Sequence, residues 1–204
     1  WKFDNLAKYA KGQLINYTIT EDVVEDYTSD VSGYNVTNTY TPGKTSVPVE
    51  KVWNDKEDQD GKRPGSVTVK LLADKADTGK TLELNSTNQW KGSFEDLDEY
   101  KGGKKIEYTL EEVTVPGYTT SITKSSNGYV VTNSHTPETT EVSGKKTWND
   151  KEDQDGKRPK EITINLYADG VKKDSKKVTA SENWSWKFDN LAKYAKGQLI
   201  NYTI

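Results

Sequence analysis

Trp53–Pro64 reads WNDKEDQDGKRP, and Trp148–Pro159 repeats the same twelve residues. The two copies stand 95 residues apart, a domain-sized period rather than the shorter one of a solenoid. The likeness extends to both sides of the block. Val67, Val69 and Leu71 match Ile162, Ile164 and Leu166, while Trp90, Phe94, Leu97 and Tyr100 match Trp184, Phe188, Leu191 and Tyr194. A second repeat joins the two ends, where Trp1–Ile19 is identical to Trp186–Ile204. Two similar domains of ninety-odd residues are therefore expected to alternate in a longer super-repeat. Residues 46–137 are a whole copy of one type, 1–41 the back part of the other type, and 141–204 its front part. The junctions TPGKTS (41–46) and TPETTE (136–141) carry Pro, Gly and Thr and read as short linkers.

Outward from the repeat block the pattern is β. Ser66–Leu72, Lys105–Glu112, Ser126–Asn133 and Glu161–Tyr167 alternate with period two between clusters of Gly, Asp, Asn and Pro. Phe94–Tyr100 (FEDLDEY) is the one short stretch that could form a helical turn. Many short strands at this spacing predict an all-β protein of tandem immunoglobulin-like β-sandwich domains.

Composition fits small sandwiches better than one large core, with 31% hydrophobic and 30% charged residues among 204. The 29 basic and 32 acidic side chains are interspersed, which leaves no basic face for nucleic acid or an anionic membrane. No apolar run is long enough for membrane insertion, and no signal peptide or sorting tail is visible. There is no cysteine, so a disulfide cannot staple the fold. With no thiol and a single histidine, His135, most metal clusters and thiol chemistry are excluded, and no cofactor is expected. A Ser-His-Asp site would rest on His135 alone, which reads more simply as a histidine of a strand or turn.

Strand parity singles out three polar residues. Side chains alternate faces along a strand. Lys51 shares its parity with Val47, Val49 and Trp53; Glu112 with Ile106, Tyr108 and Leu110; Asn133 with Tyr129 and Val131. The other repeat type has the same placements. Lys146 lies between Gly144 and Trp148, Glu21 follows Ile15, Tyr17 and Ile19, and Asn38 follows Tyr34 and Val36. Burying a lysine and a glutamate is costly unless they pair or neutralise, and an apolar setting favours the neutral form of each. Two readings stand on the residues alone. One is a buried Lys–Glu ion pair capped by the Asn amide, or strand-end side chains reaching back to water. The other is chemistry, in which a neutral amine attacks the Asn side-chain carbonyl while the acid polarises it.

The ordered motifs resemble the Cna B-type domain, the B-repeat of Gram-positive collagen adhesins. They run from Lys51-Val-Trp-Asn-Asp through Lys62-Arg-Pro, Trp90 and Phe94–Tyr100. They continue with Tyr108-Thr-Leu-Glu-Glu112, Pro116-Gly-Tyr118 and Val131-Thr-Asn133, so that the likeness covers essentially the whole chain. The resemblance implies an isopeptide between a first-strand lysine and a last-strand asparagine, assisted by a glutamate: Lys51, Asn133 and Glu112 here. Glu111 is the rival acid, but it lies on the opposite parity, and the other repeat has Thr20 there. Glu21 and Asn38, with Lys146 in the front part, are the corresponding residues of the second type.

The resemblance further implies a structural stalk repeat of a secreted, cell-wall anchored surface adhesin. Its partners would be neighbouring repeats, and its only catalysis a single autocatalytic turnover on its own chain. The alternative is a repeat that itself binds host matrix or partner cells. Because 141–204 and 1–41 are complementary parts, they are also expected either to pair between molecules or to continue into a longer array. Two weaker signals carry less. Asp55–Gly61 is acidic like a calcium loop, but Lys56 and Val67 stand at its first and twelfth ligand positions, so it reads as a solvated charged turn. Sequons at Asn16, Asn35, Asn85 and Asn183 are ordinary in a Thr-rich β protein.

Overall fold

The computed structural model describes residues 1–204 and is β throughout except for a single 3₁₀ turn, Ala180–Glu182. The chain divides into two compact units: Trp1–Thr45 with Asp98–Lys105, and Ser46–Leu97 with Ile106–Ile204.

The central repeat consists of two sheets. Tyr108–Glu112, Ser66–Ala73 and Ala76–Asn85 form one, in that order; Thr119–Ser125, Gly128–Ser134, Lys44–Asn54 and Lys91–Asp98 form the other. The first strand, Lys44–Asn54, and the last, Gly128–Ser134, run parallel side by side, with Val131 opposite Lys51 and Asn133 opposite Trp53. Alternation along the strands aims Val47, Val49, Val67, Val69, Leu71, Leu84 and Val131 into one core, which Phe94, Leu97 and Val115 complete. At about 1.5–3 kcal/mol for each fully buried aliphatic side chain, this cluster explains how a chain poor in hydrophobic residues holds a sandwich.

The expected helical turn at Phe94–Tyr100 is instead part of the strand Lys91–Asp98. Phe94 and Leu97 are both buried although three residues apart, a spacing that suits a helix and breaks strand parity. Asp96 resolves the conflict by adopting a left-handed conformation, φ 56°. The other repeat does the same at Asn190, φ 54°, where the pairing of Ser185–Ala192 with Thr139–Lys145 slips by one residue between Thr140 and Val142. A β-bulge turns two core residues to one face without any helix.

Within residues 139–204, Thr139–Lys145 pairs with Ser185–Ala192, and Glu161–Ala168 pairs with Val171–Thr179 and Tyr202–Thr203. Leu166, Val178, Trp184 and Phe188 form the core of this part. Residues 1–41 are more open. They carry the hairpins Tyr9–Ala10 with Gln13–Leu14 and Thr28–Ser32 with Asn35–Thr39, and no side chain there is fully buried.

The linker after Asn133 is tied on both sides. His135 Nε2 lies 2.9 Å from Asp60 Oδ2, which also accepts the Glu138 N–H at 2.8 Å. The Glu138 carboxylate takes one hydrogen bond from Lys62 and one from Lys193, each 2.9 Å. Those two lysines hold it well below the ordinary carboxylate range, at about 2. Gly197 N–H donates to Gln59 O at 3.1 Å. Gly61 has φ +65°, and a Cβ there would lie 2.5 Å from the Gly197 Cα, so both conformation and contact require glycine. His135 is thus a residue of the joint, a role its position in the sequence did not suggest.

Candidate functional site

Lys51, Glu112 and Asn133 all point into the core of the central repeat, with residue exposures of 4%, 9% and 0%. Each arrives by strand alternation. Lys51 follows Val47 and Val49 on the first strand; Asn133 follows Val131 on the last; Glu112 ends the strand that pairs Leu110 with Leu71. Glu111 is exposed, as its parity requires. The parallel register sets Asn133 two positions beyond the residue opposite Lys51, so the two side chains are diagonal neighbours on one face.

The polar contacts among Lys51, Glu112 and Asn133 are long or missing. Lys51 Nζ is 3.4 Å from Glu112 Oε1 and 3.4 Å from the carbonyl oxygens of Val52 and Val131. Surface pairs of the same molecule, such as Lys44–Asp98 and Lys62–Glu138, close to 2.7 and 2.9 Å. Glu112 Oε1 and both polar atoms of the Asn133 amide are buried without any hydrogen bond. Burial lowers the Lys51 amine to about 8, although Glu112 opposes the shift. A side chain that would be fully charged in water therefore has a neutral amine within reach near neutral pH.

Aromatic and ionic groups wall the site. Lys51 Nζ lies 4.3 Å from the centre of the Trp53 ring, with Arg63 stacked on the same ring at 5.2 Å. Trp90 and Tyr118 meet Trp53 edge-on at 5.2 and 5.0 Å. The repeated block WNDKEDQDGKRP closes on itself here. Arg63 forks onto Asp55 through Nε and Nη2 at 3.0 and 2.6 Å, and Tyr118 Oη donates to Asp55 at 2.9 Å. The solvated turn expected from its charge is thus in part a buried ion pair, since Asp55 is only 2% exposed. Its carboxylates are spent on protein donors, including Asp58 N–H on Asp55 and Arg63 N–H on Asp58. The second copy repeats the fork from Arg158 to Asp150 at 3.0 and 2.6 Å and the stack of Arg158 on Trp148 at 5.5 Å. Aspartate, arginine and tryptophan at fixed spacing are the signal for this feature, and it is legible only once the loop is folded.

The corresponding residues of the other repeat type do not converge. Glu21 Oε1 accepts a hydrogen bond from Asn38 Nδ2 at 3.1 Å in an exposed setting. Lys146 donates to Thr147 O at 2.9 Å and lies 4.7 Å from the centre of the Trp148 ring.

A two-sheet sandwich whose first and last strands carry a buried lysine and asparagine, with like sequence on either side, defines a tandem β-sandwich repeat module. The family model of the Cna protein B-type domain matches residues 1–39, 47–134 and 142–204, and the chain belongs to that family. It is 48% identical over 208 residues to a collagen adhesin of Staphylococcus aureus, covering the whole of this chain and 18% of that protein's length. Among solved structures it matches the crystal structure of two B repeat units (B1B2) of the collagen binding protein (CNA) of Staphylococcus aureus. That match has 47% identity and a TM-score of 0.76, covering 98% of this chain and 54% of the other. The tandem immunoglobulin-like architecture is common to both, and the family is one of adhesin repeats rather than enzymes.

Proposed function

We propose that this chain is a structural stalk segment of a cell-wall anchored, extracellular surface adhesin, and that its complete repeat, residues 46–137, locks itself with an isopeptide between Lys51 and Asn133. The observation that carries this reading is the Asn133 amide, fully buried beside Lys51 with neither polar atom satisfied. An ion pair capped by an amide would spend those atoms, because a buried donor or acceptor left without a partner costs about 1–3 kcal/mol.

The chemistry balances within the cluster. Lys51 Nζ passes a proton to Glu112, which leaves a neutral amine and a neutral acid. The amine attacks Cγ of Asn133 as the acid gives its proton to the developing oxyanion; Glu112 then carries a proton from the attacking nitrogen to the departing one, and recovers its own as the oxygen returns to a carbonyl. The new Nζ–Cγ bond forms, the Cγ–Nδ2 bond breaks and ammonia leaves. Glu112 either keeps the proton given up by Lys51 or releases it with the ammonia as ammonium. Apolar walls and fixed strands hold the groups in contact long enough for a slow reaction. Because the first and last strands are cross-linked, tension entering through them bypasses the rest of the sandwich.

The flanking parts extend this reading. The core face of residues 1–41 borders an open cavity of about 830 Å³, lined by Trp1, Phe3, Leu6, Tyr17, Ile19 and Val36. The occupant that fits is the front part of the same repeat type, residues 141–185, supplied by a neighbouring repeat or a second copy. Trp186, Phe188 and Leu191 copy Trp1, Phe3 and Leu6, and their strand already pairs with Thr139–Lys145. In that pairing Lys146 would face Glu21 and Asn38 and form a second bond.

Intact mass under denaturing conditions tests the central repeat. The parent is expected to weigh one ammonia less than its sequence, and Glu112→Ala to show the full mass. A parent of full sequence mass would remove the bond.

A further inference from the structure

The Glu112 carboxyl is gripped from the rim by a residue outside the Lys–Glu–Asn pattern. Thr120 Oγ1 donates to Glu112 Oε2 at 2.6 Å. Thr120 is the cross-strand partner of Asn133 and has the parity of Ile122, which packs on the core. Its hydroxyl therefore faces the cluster.

The same arrangement recurs where the sequence differs and the burial is lost. Ser29 Oγ donates to Glu21 Oε2 at 2.9 Å, and Ser29 is the cross-strand partner of Asn38. In each copy the hydroxyl stands eight residues after the glutamate and bonds the oxygen turned away from the rest of the triad. Glu21 Oε1 meets Asn38, and Glu112 Oε1 meets Lys51. One copy uses threonine and the other serine, so the shared feature is the hydroxyl and not the methyl group.

We propose that this hydroxyl is a positioning residue for isopeptide formation, fixing which oxygen of the glutamate handles the proton. The proposal rests on the isopeptide reading above. A neutral carboxyl has one carbonyl oxygen and one hydroxyl oxygen. An O–H donor on Oε2 makes that oxygen the carbonyl, so the proton taken from Lys51 Nζ resides on Oε1. Oε1 is the atom 3.4 Å from Lys51 Nζ, and it has no hydrogen bond of its own. The donor also prevents rotation of the carboxyl, which would carry the proton to the rim. Thr120 touches neither Lys51 nor the Asn133 amide in a bond-making step, and acts through Glu112 alone.

The test follows closure in chain recovered unfolded in denaturant and refolded by dilution, with loss of ammonia read by mass against time. Thr120→Val keeps the shape and removes the donor; Thr120→Ser keeps the donor and removes the methyl. A hydrogen bond to an ionisable group at a reacting centre predicts closure slowed about tenfold or more in Thr120→Val, at unchanged tryptophan fluorescence of the folded domain. Thr120→Ser is expected within about twofold of the parent, since its donor is intact. Equal rates in Thr120→Val and the parent, or a Thr120→Ser as slow as Thr120→Val, overturn the proposal. If Thr120→Val does not refold, Thr120→Ala against Thr120→Ser reads the same difference, and equal rates again overturn it. A parent that never loses ammonia removes the isopeptide itself, an outcome distinct from a parent that closes without need of the hydroxyl.

Discussion

Trp1–Ile19 and Trp186–Ile204 are the same nineteen residues, yet Phe188 is 2% exposed and Phe3 is 69% exposed. Identical local sequence has met different partners. Ser185–Ala192 lies against Thr139–Lys145, which supplies the other wall of its core, whereas Trp1–Ala7 has no such strand. The triads differ in the same sense. Glu21 and Asn38 find each other in solvent, so acid and amide meet there without a lysine. The first strand must add the lysine, and packing must remove the water. At Lys51, Glu112 and Asn133, which are buried together, the amide has no hydrogen bond and burial lowers the amine to about 8. Burial changes the contacts that the same three residue types make.

Removing each lysine has the largest effect on one part and almost none on the other. In chain whose cross-link is blocked by Asn133→Ala, Lys51→Met leaves Glu112 buried without a cation and is expected to cost a further 3–5 kcal/mol or so of unfolding free energy. In dilute monomeric chain, where no Glu21 or Asn38 of a second copy is brought to it, Lys146→Met should change stability by no more than about 0.5 kcal/mol. Denaturant titration reads both. Equal effects would mean that the two lysines share one environment.

A second difference is pH. The reactive pair, neutral amine with neutral acid, has the same proton count as the ion pair, so closure is level with pH while that count holds. Above about 8, where Lys51 titrates, one proton is lost and no acid remains for the leaving nitrogen. Closure from the refolded chain should slow as pH rises through that value. A rate that keeps rising above it would make the free amine sufficient and Glu112 dispensable as an acid.

The smallest expected effect concerns the joints. After Asn133 the linker carries Glu138 between Lys62 and Lys193, whereas after Asn38 the matching residue is Gly43, and the position of Lys193 is taken by Glu99. The backbone tie is kept in both, Lys193 N–H to Glu138 O at 3.0 Å and Glu99 N–H to Gly43 O at 3.2 Å. The charged clamp is not. Glu138→Gly should broaden the distance distribution between dyes placed in 46–134 and 142–204, and an unchanged distribution would leave the clamp without mechanical effect. Because the folded carboxyl titrates near 2, below its ordinary 4.5, the clamp in the parent is complete above the ordinary value. It is lost only as pH falls through the lower one.

Much of this was legible before any coordinates. The repeat gave the architecture, and parity placed Lys51, Glu112 and Asn133 on the core face because strands alternate strictly wherever no bulge intervenes. Parity failed at Phe94–Leu97 for the corresponding reason: the left-handed Asp96 inserts a residue, and the helical spacing that results is a bulge's signature too. Thr120 was invisible because its meaning lies across strands, in its pairing with Asn133 and its reach to Glu112. The Asp55–Arg63 fork and the His135–Asp60 contact were hidden alike, since charge along a loop does not say which groups will turn inward.

The most direct test of the central claim is a peptide map of the denatured chain. After proteolysis a branched peptide is expected in which the Lys51 side chain is joined to that of Asn133, lighter than its two arms by one ammonia and absent from Glu112→Ala. Two separate linear peptides, carrying a free Lys51 and an intact Asn133, would contradict it.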